Sequence, residues 1–395
     1  MSRIIPSGDI MPSKKTKLNF IDLFSGAGGL SCGLEMAGLN CLLGVDFDKD
    51  AIKTFQKNHP KSRTFCGDIS DLKSKDIKEL IKNQKVHLVA GGPPCQGFST
   101  VGKGNPDDLR NQLFKQFIRI VKDFKPDYIL MENVTGLLAK KNEESLQSII
   151  RLFNRLGYNI DVNILSAQHY GVPERRRRAI FIGSKINNEI SFPIISHLDQ
   201  PMLKKHSYTK TVGDALANLK TKNGLVHNHD IQFAEIKKKI DIRRIKRVPE
   251  GKGVRYERDE IAYFSRSLKL GIDWRSTPEN RLRQTKYQRL DRSLPSPTIM
   301  THRHNYYHPT ENRFLTQREA ASIQSFPNDF VFFGSVTSQW RQIGNAVPPL
   351  LGKSIGLAIK LMYNKSDENI KISSLAKFKK HINEKRGHAF KYLEK

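Results

Sequence analysis

The stretch LNFIDLFSGAGGLSCGLEMAGLNCLLGVDFD, residues 18–48, determines the fold class of this chain. Its first apolar run, residues 18–24, predicts a buried strand, and the glycine-rich turn that follows leads into a helical pattern that stops at Gly38. A second apolar run, residues 41–48, predicts a second strand. A strand, a glycine turn, a helix and a strand in this order are typical of a parallel, doubly wound sheet.

The same alternation continues through residue 184, so we expect residues 18–184 to form one core domain. The further predicted elements are a strand ending at Asp68, a helix over 72–84, a strand over 86–92, a helix over 113–124, a strand over 127–133, a helix over 145–156, and closing strands over 159–167 and 178–184. The expected fold is therefore α/β, with a doubly wound, mostly parallel sheet that carries helices on both faces.

The pattern changes over residues 185–288, where apolar runs are few and Lys and Arg are frequent, which predicts a second, smaller, basic domain. A helix-like stretch inside it spans residues 231–246. Apolar periodicity returns over 289–364, and its helix, within residues 344–363, is expected to pack against the first sheet. The chain therefore leaves its core domain and comes back. Outside these parts lie a flexible arm, residues 1–17, and a basic tail, residues 365–395.

The charge of the chain indicates what it binds. Its 395 residues include 67 Lys and Arg against 39 Asp and Glu, a formal net charge of +28. With 38% hydrophobic residues there is enough apolar material for a core, which excludes disorder as a description of the whole chain. An excess of this size, spread along the chain, predicts a polyanionic partner, and nucleic acid is the leading candidate.

Cysteine usage and hydropathy indicate the compartment. Four cysteines in a chain of this length are too few for a disulfide framework, and without a C-x-x-C pair no zinc or other metal site is predicted. No run of about 18 apolar residues predicts a membrane span, and the first residues lack an apolar signal segment. We expect a soluble, cytoplasmic protein.

Three glycines and two acids predict a nucleoside site. Gly26, Gly28 and Gly29 lie between a strand and a helix, where a ligand can approach the backbone, although a plain tight turn is an alternative because the spacing is not G-x-G-x-x-G. Asp46 ends the second strand, where an acid can bind ribose hydroxyls, and Asp68, ending the third, can meet an adenine amino group. Each acid alone could equally cap a helix.

The next two strand ends carry reactive side chains. The fourth strand ends in GGPPCQGFS, residues 91–99, which places Cys95 beside the predicted cofactor in a rigid polar loop that packing alone does not explain. The Gly-rich segment beyond it, residues 97–110, has the composition of a lid. Glu132 and Asn133 end the fifth strand at the same edge of the sheet; a Glu at such a place favours a functional role.

The motifs FIDLFSGAGG, GGPPCQGFS, MENV, YGVPERRRRAIFIG and RQIGNAVPP, in this order, resemble the signature motifs of cytosine 5-methyltransferases that act on DNA with S-adenosylmethionine. The resemblance covers about residues 20–184 and 287–362. It implies a Rossmann-like S-adenosylmethionine-dependent methyltransferase core, with S-adenosylhomocysteine as product, and a basic domain that recognises the target sequence.

The resemblance also implies catalytic roles. Cys95 would attack carbon 6 of cytosine as a thiolate, and Glu132 would hydrogen-bond or protonate ring nitrogen 3. Arg176 and Arg178 alternate on the strand after GVPE and are expected to face the same way, to hold the ring carbonyl and steady the catalytic loop; similarity favours Arg178 for the carbonyl. The chain departs from the family pattern at Glu174, where Gln is common.

By the same resemblance Phe24 would pack on the adenine, Asp46 would bind the ribose and Asp68 would bind the adenine amino group. Gly26 and Gly29 would line the methionine end. Asn133 is expected to be structural. The cofactor-binding residues that we predict are Phe24, Gly26, Gly28, Gly29, Asp46, Phe47, Asp68, Ile69, Pro93, Leu113, Asn345 and Val347.

The expected partner is double-stranded DNA, from which the target base must be extruded to be reached. We also expect a monomer associated with the nucleoid through DNA, and a restriction endonuclease that acts separately. A tRNA methyltransferase of the same family and an inactive DNA-binding relative are alternatives. A dinucleotide oxidoreductase is possible on fold alone, but it leaves the PPC motif and the +28 charge unexplained.

Overall fold

The computed structural model describes residues 17–93, 109–200, 203, 206–217, 219, 226–276, 285–303, 306–367, 369–372 and 382. Cys95 and the predicted lid up to residue 108 lie outside the described residues, as do most of the arm and most of the tail.

The strands are β1 Asn19–Leu23, β2 Asn40–Asp46, β3 Arg63–Cys66, β4 Leu88–Gly91, β5 Tyr128–Val134, β6 Asn159–Ser166, β7 Glu174–Arg175, β8 Arg177–Ser184, β9 His197–Leu198, β10 Ser207–Tyr208 and β11 Ser296–Pro297. The α-helices are α1 Gly29–Met36, α2 Lys49–Asn58, α3 Ser74–Leu80, α4 Leu109–Phe124, α5 Glu143–Arg155, α6 Val212–Ala217, α7 Ile231–Ala234, α8 Lys239–Ile245, α9 Glu257–Tyr263, α10 Gln317–Ile323, α11 Val336–Asn345 and α12 Pro349–Tyr363. Short 3-10 helices span Thr135–Leu138, Lys140–Asn142, Ala167–Tyr170 and Arg266–Leu268.

In the described part of the chain, seven strands form the main sheet in the order β3-β2-β1-β4-β5-β8-β6. Strand β8 runs antiparallel to β5 and β6, and the other neighbouring pairs are parallel. The direction in which strands are added reverses between β1 and β4, and ligands of such sheets bind at the carboxyl ends of the strands beside that point. The predicted doubly wound, mostly parallel fold is confirmed.

Helices cover both faces of this sheet because alternate side chains of each strand point to opposite sides. From β1, Phe20 joins a buried cluster with residues of α1 and α12, whereas Ile21 and Leu23 join a second cluster with residues of α3, α4 and α5. Asp22 lies between these two apolar neighbours and is itself buried, on the face that carries α1, where it accepts a hydrogen bond from Ser31.

Two elements differ from their predicted form. Strand β3 ends two residues before Asp68, which caps a tight turn by accepting from the Ser70 amide. The predicted helix over residues 231–246 is divided into α7 and α8, because the Phe314 amide donates to the Ala234 carbonyl that a continuous helix would use.

The basic region has a small apolar core of its own. Ile245, Val248 and Phe264 are buried there together with Tyr307 and Phe314, which come from the returning part of the chain. At its centre the buried Arg289 guanidinium donates to backbone carbonyls of both parts, those of Ile245, Val248, His308 and Glu311. The target-recognition domain predicted for residues 185–288 thus shares its core with residues beyond 288.

The return of the chain depends on a close contact between α1 and α12. A Cβ placed on Gly33 would lie 2.6 Å from the Lys353 amide nitrogen and 2.7 Å from the Gly352 Cα, so the two helices touch backbone to backbone. Any larger side chain at Gly33 must push α12 away from α1.

We therefore expect Gly33→Ala to lower the free energy of unfolding by about 1–3 kcal/mol, the usual range for overpacking a tight contact. Urea denaturation followed by circular dichroism measures the loss. Gly136→Ala is the matched control, since no described atom lies within 4 Å of its added Cβ. Equal stability of the two variants would show that α1 and α12 are not held this closely.

Candidate active site

A cavity of about 710 Å³ opens at the carboxyl edge of the sheet, beside the reversal between β1 and β4. It brings together most of the residues that the sequence predicted. The predicted residues that line it are Phe24, Gly26, Gly29, Asp46, Phe47, Asp68, Ile69, Leu113, Glu132, Arg178, Asn345 and Val347. Of the predicted residues that the structure describes, Gly28, Pro93 and Arg176 do not line it.

The turn after β1 exposes its backbone to this cavity. Phe24 and Gly26 both adopt the left-handed conformation, with φ of 60° and 53°, and a Cβ on Gly26 would meet no described atom within 4 Å. Gly28 instead faces the protein interior, where its Cα touches the rings of His59 and Phe55. The structure therefore gives Gly26 a place for a ligand and gives Gly28 a packing role.

Asp46 is fixed at the end of β2 by two backbone amides. Its Oδ2 accepts from the Gly26 amide at 2.8 Å and its Oδ1 from the Asp48 amide at 2.9 Å. The capping of α2 is done by Asp48, which accepts from the Asp50 and Ala51 amides. Burial raises the pKa of Asp46 above its ordinary value. Because Asp46 is not the helix cap, its remaining lone pairs can accept ribose hydroxyls.

The end of the cavity near Asp68 is more open. Asp68 is exposed, and its Oδ1 accepts from the Ser70 amide and hydroxyl, which lowers the pKa of Asp68 and keeps the carboxylate ionised. Phe47 leaves 78% of its surface exposed at the same rim. An exposed ring beside a fixed carboxylate suits a flat base that carries an amino group.

The far wall comes from the end of the chain. Gly29 has no Cβ where the Val347 carbonyl approaches, at 2.5 Å from the place of the missing atom, so the segment between α11 and α12 lies against the glycine turn. At the rim, Arg341 of α11 pairs with Asp48 at 2.6 Å. The sequence placed Arg341 in a signature motif but gave no sign of this pair, which joins residues 293 positions apart.

The other half of the cavity holds the predicted catalytic pair. Glu132 Oε1 lies 2.7 Å from Arg178 Nε, and these side chains are 15% and 16% exposed. The antiparallel pairing of β5 with β8 places the two side chains together. Asn133 is buried, and its side-chain amide donates to the Pro93 carbonyl at 3.0 Å, two residues before Cys95 in the sequence.

Arg176 differs from its predicted place. The strand is interrupted between β7 and β8, and the Arg176 side chain is completely buried, with Nη2 2.9 Å from the Gly344 carbonyl and Nη1 3.4 Å from the Ile299 carbonyl. Arg176 and Arg178 therefore do not both face the cavity. The expectation that the two arginines face the same way is wrong, because the strand is interrupted at Arg176 and its guanidinium donates to backbone carbonyls.

The donors around the cavity fit S-adenosylmethionine. The Ser25 hydroxyl is buried at the turn and has no hydrogen-bond partner among the described residues. It lies with the open face of Gly26 where an amino-acid carboxylate can be bound, and Asp46 supplies acceptors for a ribose. A nucleoside with an amino-acid tail uses all three features. The sequence did not single out Ser25.

The sequence matches the family of C-5 cytosine-specific DNA methylases over residues 18–361. The chain belongs to this family. It is 36% identical over 352 residues to the Type II methyltransferase M1.HphI of Haemophilus parahaemolyticus, covering 87% of each chain. It is 33% identical to the Type II methyltransferase M.DdeI of Desulfomicrobium norvegicum, covering 91% of this chain and 93% of the relative.

Solved structures agree. A prophage-encoded E. coli protein described as a DNA modification methyltransferase superposes with a TM-score of 0.66 at 29% identity, over 88% of this chain and 100% of that one. The S. pombe Dnmt2 methyltransferase, at a TM-score of 0.57 and 18% identity over 89% of this chain and 99% of its own, supports the fold alone.

This DNA methylase transfers a methyl group from S-adenosylmethionine to carbon 5 of cytosine, so the family, the activity and the cofactor inferred from the motifs are confirmed. No helix in the described ranges is long and apolar enough to span a membrane. Within the same ranges no group of three or more His, Cys, Asp or Glu residues could hold a metal ion.

The buried carboxyl of Asp22 makes stability depend on pH. Burial raises its pKa to about 6, well above its ordinary value of 3.8, and the hydrogen bond from Ser31 offsets this only in part. Between about pH 4 and pH 6 the unfolded chain loses this proton before the folded protein does. Stability from Asp22 is therefore present at low pH and is lost as the pH rises through 6.

We expect Asp22→Asn to remove this dependence and to stabilise the protein at pH 8 by about 2 kcal/mol relative to its effect at pH 4.5. Urea denaturation across this pH range measures the difference. Asp71→Asn, at an exposed acid, should keep the wild-type pH dependence. A constant difference between Asp22→Asn and wild type at every pH would contradict the assignment.

The Ser25 hydroxyl should act in cofactor binding and not in folding. We expect Ser25→Ala to weaken S-adenosylmethionine binding roughly five- to tenfold, the effect of one lost hydrogen bond, while thermal stability is unchanged or slightly higher. Isothermal titration calorimetry measures the affinity. Ser322→Ala removes another buried hydroxyl without a described partner, at a residue that does not line the cavity, and should leave the affinity unchanged. Equal affinities of the two variants would refute the role of Ser25.

Proposed function

We propose that this enzyme methylates one cytosine within a specific sequence of double-stranded DNA by covalent catalysis with Cys95, as the modification enzyme of a restriction-modification system. The observation that supports this most is the shared cavity: the Glu132–Arg178 pair and the cofactor residues line one continuous space. A base bound against the pair would lie next to the cofactor. The relatives named Type II methyltransferases support the biological role.

Cys95 would supply the nucleophile. Carbon 5 of cytosine is a weak nucleophile, and attack of the thiolate on carbon 6 forms a C–S bond and moves the electron pair of the 5,6 double bond toward carbon 5 and the ring. Asn133, by holding the Pro93 carbonyl, anchors the chain two residues before Cys95. The two prolines that precede Cys95 in the sequence have fixed φ angles, which would limit the directions in which the thiol can approach.

Glu132 and Arg178 would stabilise the charge that this attack creates. Arg178 Nε binds Glu132 Oε1, so the guanidinium and the carboxyl are held in fixed relative orientation before a base arrives. Glu132 would donate a hydrogen bond or proton to ring nitrogen 3, and Arg178 would bind the ring carbonyl oxygen. S-adenosylmethionine, when bound, supplies an electrophilic methyl group on its sulfonium. Loss of the carbon 5 proton to a base and expulsion of the Cys95 thiolate then restore the aromatic ring.

The target cytosine would have to leave the duplex. Extrusion costs a few kcal/mol of stacking and pairing energy, which contacts between protein and DNA must offset. The positive charge of the chain favours phosphate contacts, and residues 185–288 would read bases in the major groove. The apolar core that they share with Tyr307 and Phe314 of the returning chain is separate from the clusters on the main sheet, which supports a module that presents side chains to DNA.

We also propose a monomer that acts in the cytoplasm and meets the nucleoid through DNA, with a cognate endonuclease that acts separately. One chain provides both the cofactor half and the catalytic half of the cavity, which supports function without a second copy.

The test is transfer of tritiated methyl from S-adenosylmethionine to duplex DNA from several sources, with bulk tRNA in parallel. We expect counts on DNA with wild type and none with Cys95→Ala, and sequencing of the modified cytosines then gives the target. Cys32→Ala, at a half-buried cysteine of α1, is the matched control and should remain active.

A duplex with 5-fluorocytosine at the target tests the covalent step, because fluorine cannot leave carbon 5 as a proton does. Wild type should form an adduct that survives denaturing electrophoresis, and Cys95→Ala should not. Methyl transfer by Cys95→Ala at the wild-type rate would overturn the assignment of Cys95 as the nucleophile. Incorporation of tritium into tRNA alone would overturn the assignment of duplex DNA as the substrate.

A further inference from the structure

A completely buried pair of side chains, Glu174 and Arg176, lies beneath the catalytic pair. Glu174 Oε1 accepts a hydrogen bond from the Ile299 amide at 2.6 Å. Arg176 donates to the carbonyls of Gly344, at 2.9 Å, and Ile299, at 3.4 Å. These two side chains therefore contact two separate parts of the returning chain, at Ile299 and at Gly344, although they line neither the cavity nor the surface.

The contacts connect the catalytic sheet to the returning chain. Strand β7, which contains Glu174, pairs with β11, so Ile299 lies two residues past a strand that this pairing fixes. Gly344 packs its Cα against the Met300 and Thr301 backbone, where an added Cβ would lie 2.5 Å from Met300. The next residue after Gly344 is Asn345, which lines the cavity at its cofactor wall. A displacement of Arg176 would therefore also displace Asn345 in the wall of the cavity.

The charges in this layer are incompletely matched. Glu174 Oε2 and Arg176 Nε have no hydrogen-bond partner in the described part of the chain, and Glu174 Oε1 lies 3.7 Å from Arg176 Nη1, which is an ion pair without a hydrogen bond. The other charged or titratable groups that face the pair are Arg178 of β8, Glu132 of β5 and Tyr306 of the returning segment.

Burial outweighs the attraction of Arg176 and raises the pKa of Glu174 to about 7, while it lowers the pKa of Arg176 to about 10. Arg176 therefore stays charged near neutral pH, whereas Glu174 changes its charge there. A Gln at this position, the common residue in similar enzymes, would remain neutral at every pH.

We propose that Glu174 is a positioning residue for methyl transfer. In its ionised form it holds the Arg176 guanidinium, which binds the Gly344 carbonyl at the end of α11. Asn345, the next residue, is thereby kept in the position in which it contacts the cofactor. This inference rests on the proposed function and on the prediction that Asn345, which lines the cavity, is one of the residues that bind S-adenosylmethionine. Without the carboxylate, Arg176 is a buried cation held by carbonyl dipoles alone, and its hold on Gly344 is weaker. The enzyme should therefore bind its cofactor more tightly as Glu174 ionises.

The test compares wild type with Glu174→Gln from pH 6 to pH 8.5, with KM for S-adenosylmethionine and kcat measured on duplex DNA. We expect Glu174→Gln to raise this KM roughly five- to tenfold at pH 8, with a smaller effect on kcat. At pH 6 the two enzymes should agree, since wild-type Glu174 is then protonated as well. A KM ratio that does not change with pH would overturn the proposal.

A matched control separates positioning from general loosening. Glu319→Gln also weakens a buried pair, because Glu319 Oε1 lies 2.7 Å from Arg313 Nη2, but Glu319 does not line the cavity. It should lower the melting temperature and leave the pH dependence of KM for S-adenosylmethionine as in wild type. If Glu319→Gln reproduces the pH-dependent rise in KM, Glu174 has no special role.

Arg176→Lys provides a second variant in case Glu174→Gln does not fold. It keeps the positive charge, but a lysine cannot hydrogen-bond both carbonyls in the way that arginine does. We therefore expect the KM for S-adenosylmethionine to be higher than in wild type at every pH from 6 to 8.5. An unchanged KM would contradict the proposal.

Calorimetry separates failure of this inference from failure of the proposed function. Binding of S-adenosylmethionine requires neither DNA nor Cys95. A pH-dependent affinity difference between wild type and Glu174→Gln therefore supports the role of Glu174 even if Cys95→Ala still transfers methyl groups. Equal affinities at pH 8, with Cys95→Ala inactive, would overturn the role of Glu174 alone.

Discussion

The contact between α1 and the end of the chain is the constraint on which the rest of this enzyme depends. Gly29 and Gly33 lack the Cβ atoms that would collide with the backbone near Val347 and with α12, so α12 and the segment before it lie directly against α1 and the glycine turn. This closeness brings Asn345 to a cavity whose other walls come from the first half of the chain. The chain can therefore insert its whole basic region between two parts of one sheet domain without opening the cofactor site. As a result, neither Gly29 nor Gly33 can carry a side chain in this arrangement: even a methyl group there would push the contacting segments apart.

The sequence was sufficient for the sheet and for most of the cavity, because both follow from local patterns. Asp46 follows a buried strand, and the carboxyl ends of parallel strands meet at one edge, so its meeting with Gly26 was predictable. Arg176 was not, since strict alternation assumes an unbroken strand, and here the strand is interrupted at that residue. The Asp48–Arg341 pair was also missed, as was the Ser25 hydroxyl, which has no hydrogen-bond partner among the described residues. Each depends on tertiary contacts or on a missing partner, which leave no periodic trace in a sequence.

Polar groups form successive layers behind the cavity. Glu132 and Arg178 are partly exposed and face the space where a base would bind, whereas Glu174 and Arg176 are fully buried behind them. A buried cation that binds backbone carbonyls is a stiff support, because it cannot exchange its partners for water. The front pair can therefore meet a substrate while the rear pair keeps the strand, the returning segment and α11 in register. This division explains why two arginines two residues apart have different surroundings.

This arrangement also places two buried acids, whose charged forms are disfavoured by burial, next to the cavity. Asp22 behind the glycine turn and Glu174 behind the catalytic pair are both buried acids whose pKa values burial raises, to about 6 and about 7. A buried carboxyl whose pKa is raised in this way disfavours folding at neutral pH, because its charged form is poorly solvated. Neither acid can be explained by stability, and both contact elements that line the cavity. We explain both acids by the need to fix the parts of the chain that surround a polar site. Hydrogen bonds to Asp22 and Glu174 orient the segments next to the cavity, and their burial excludes the water that would compete for these bonds.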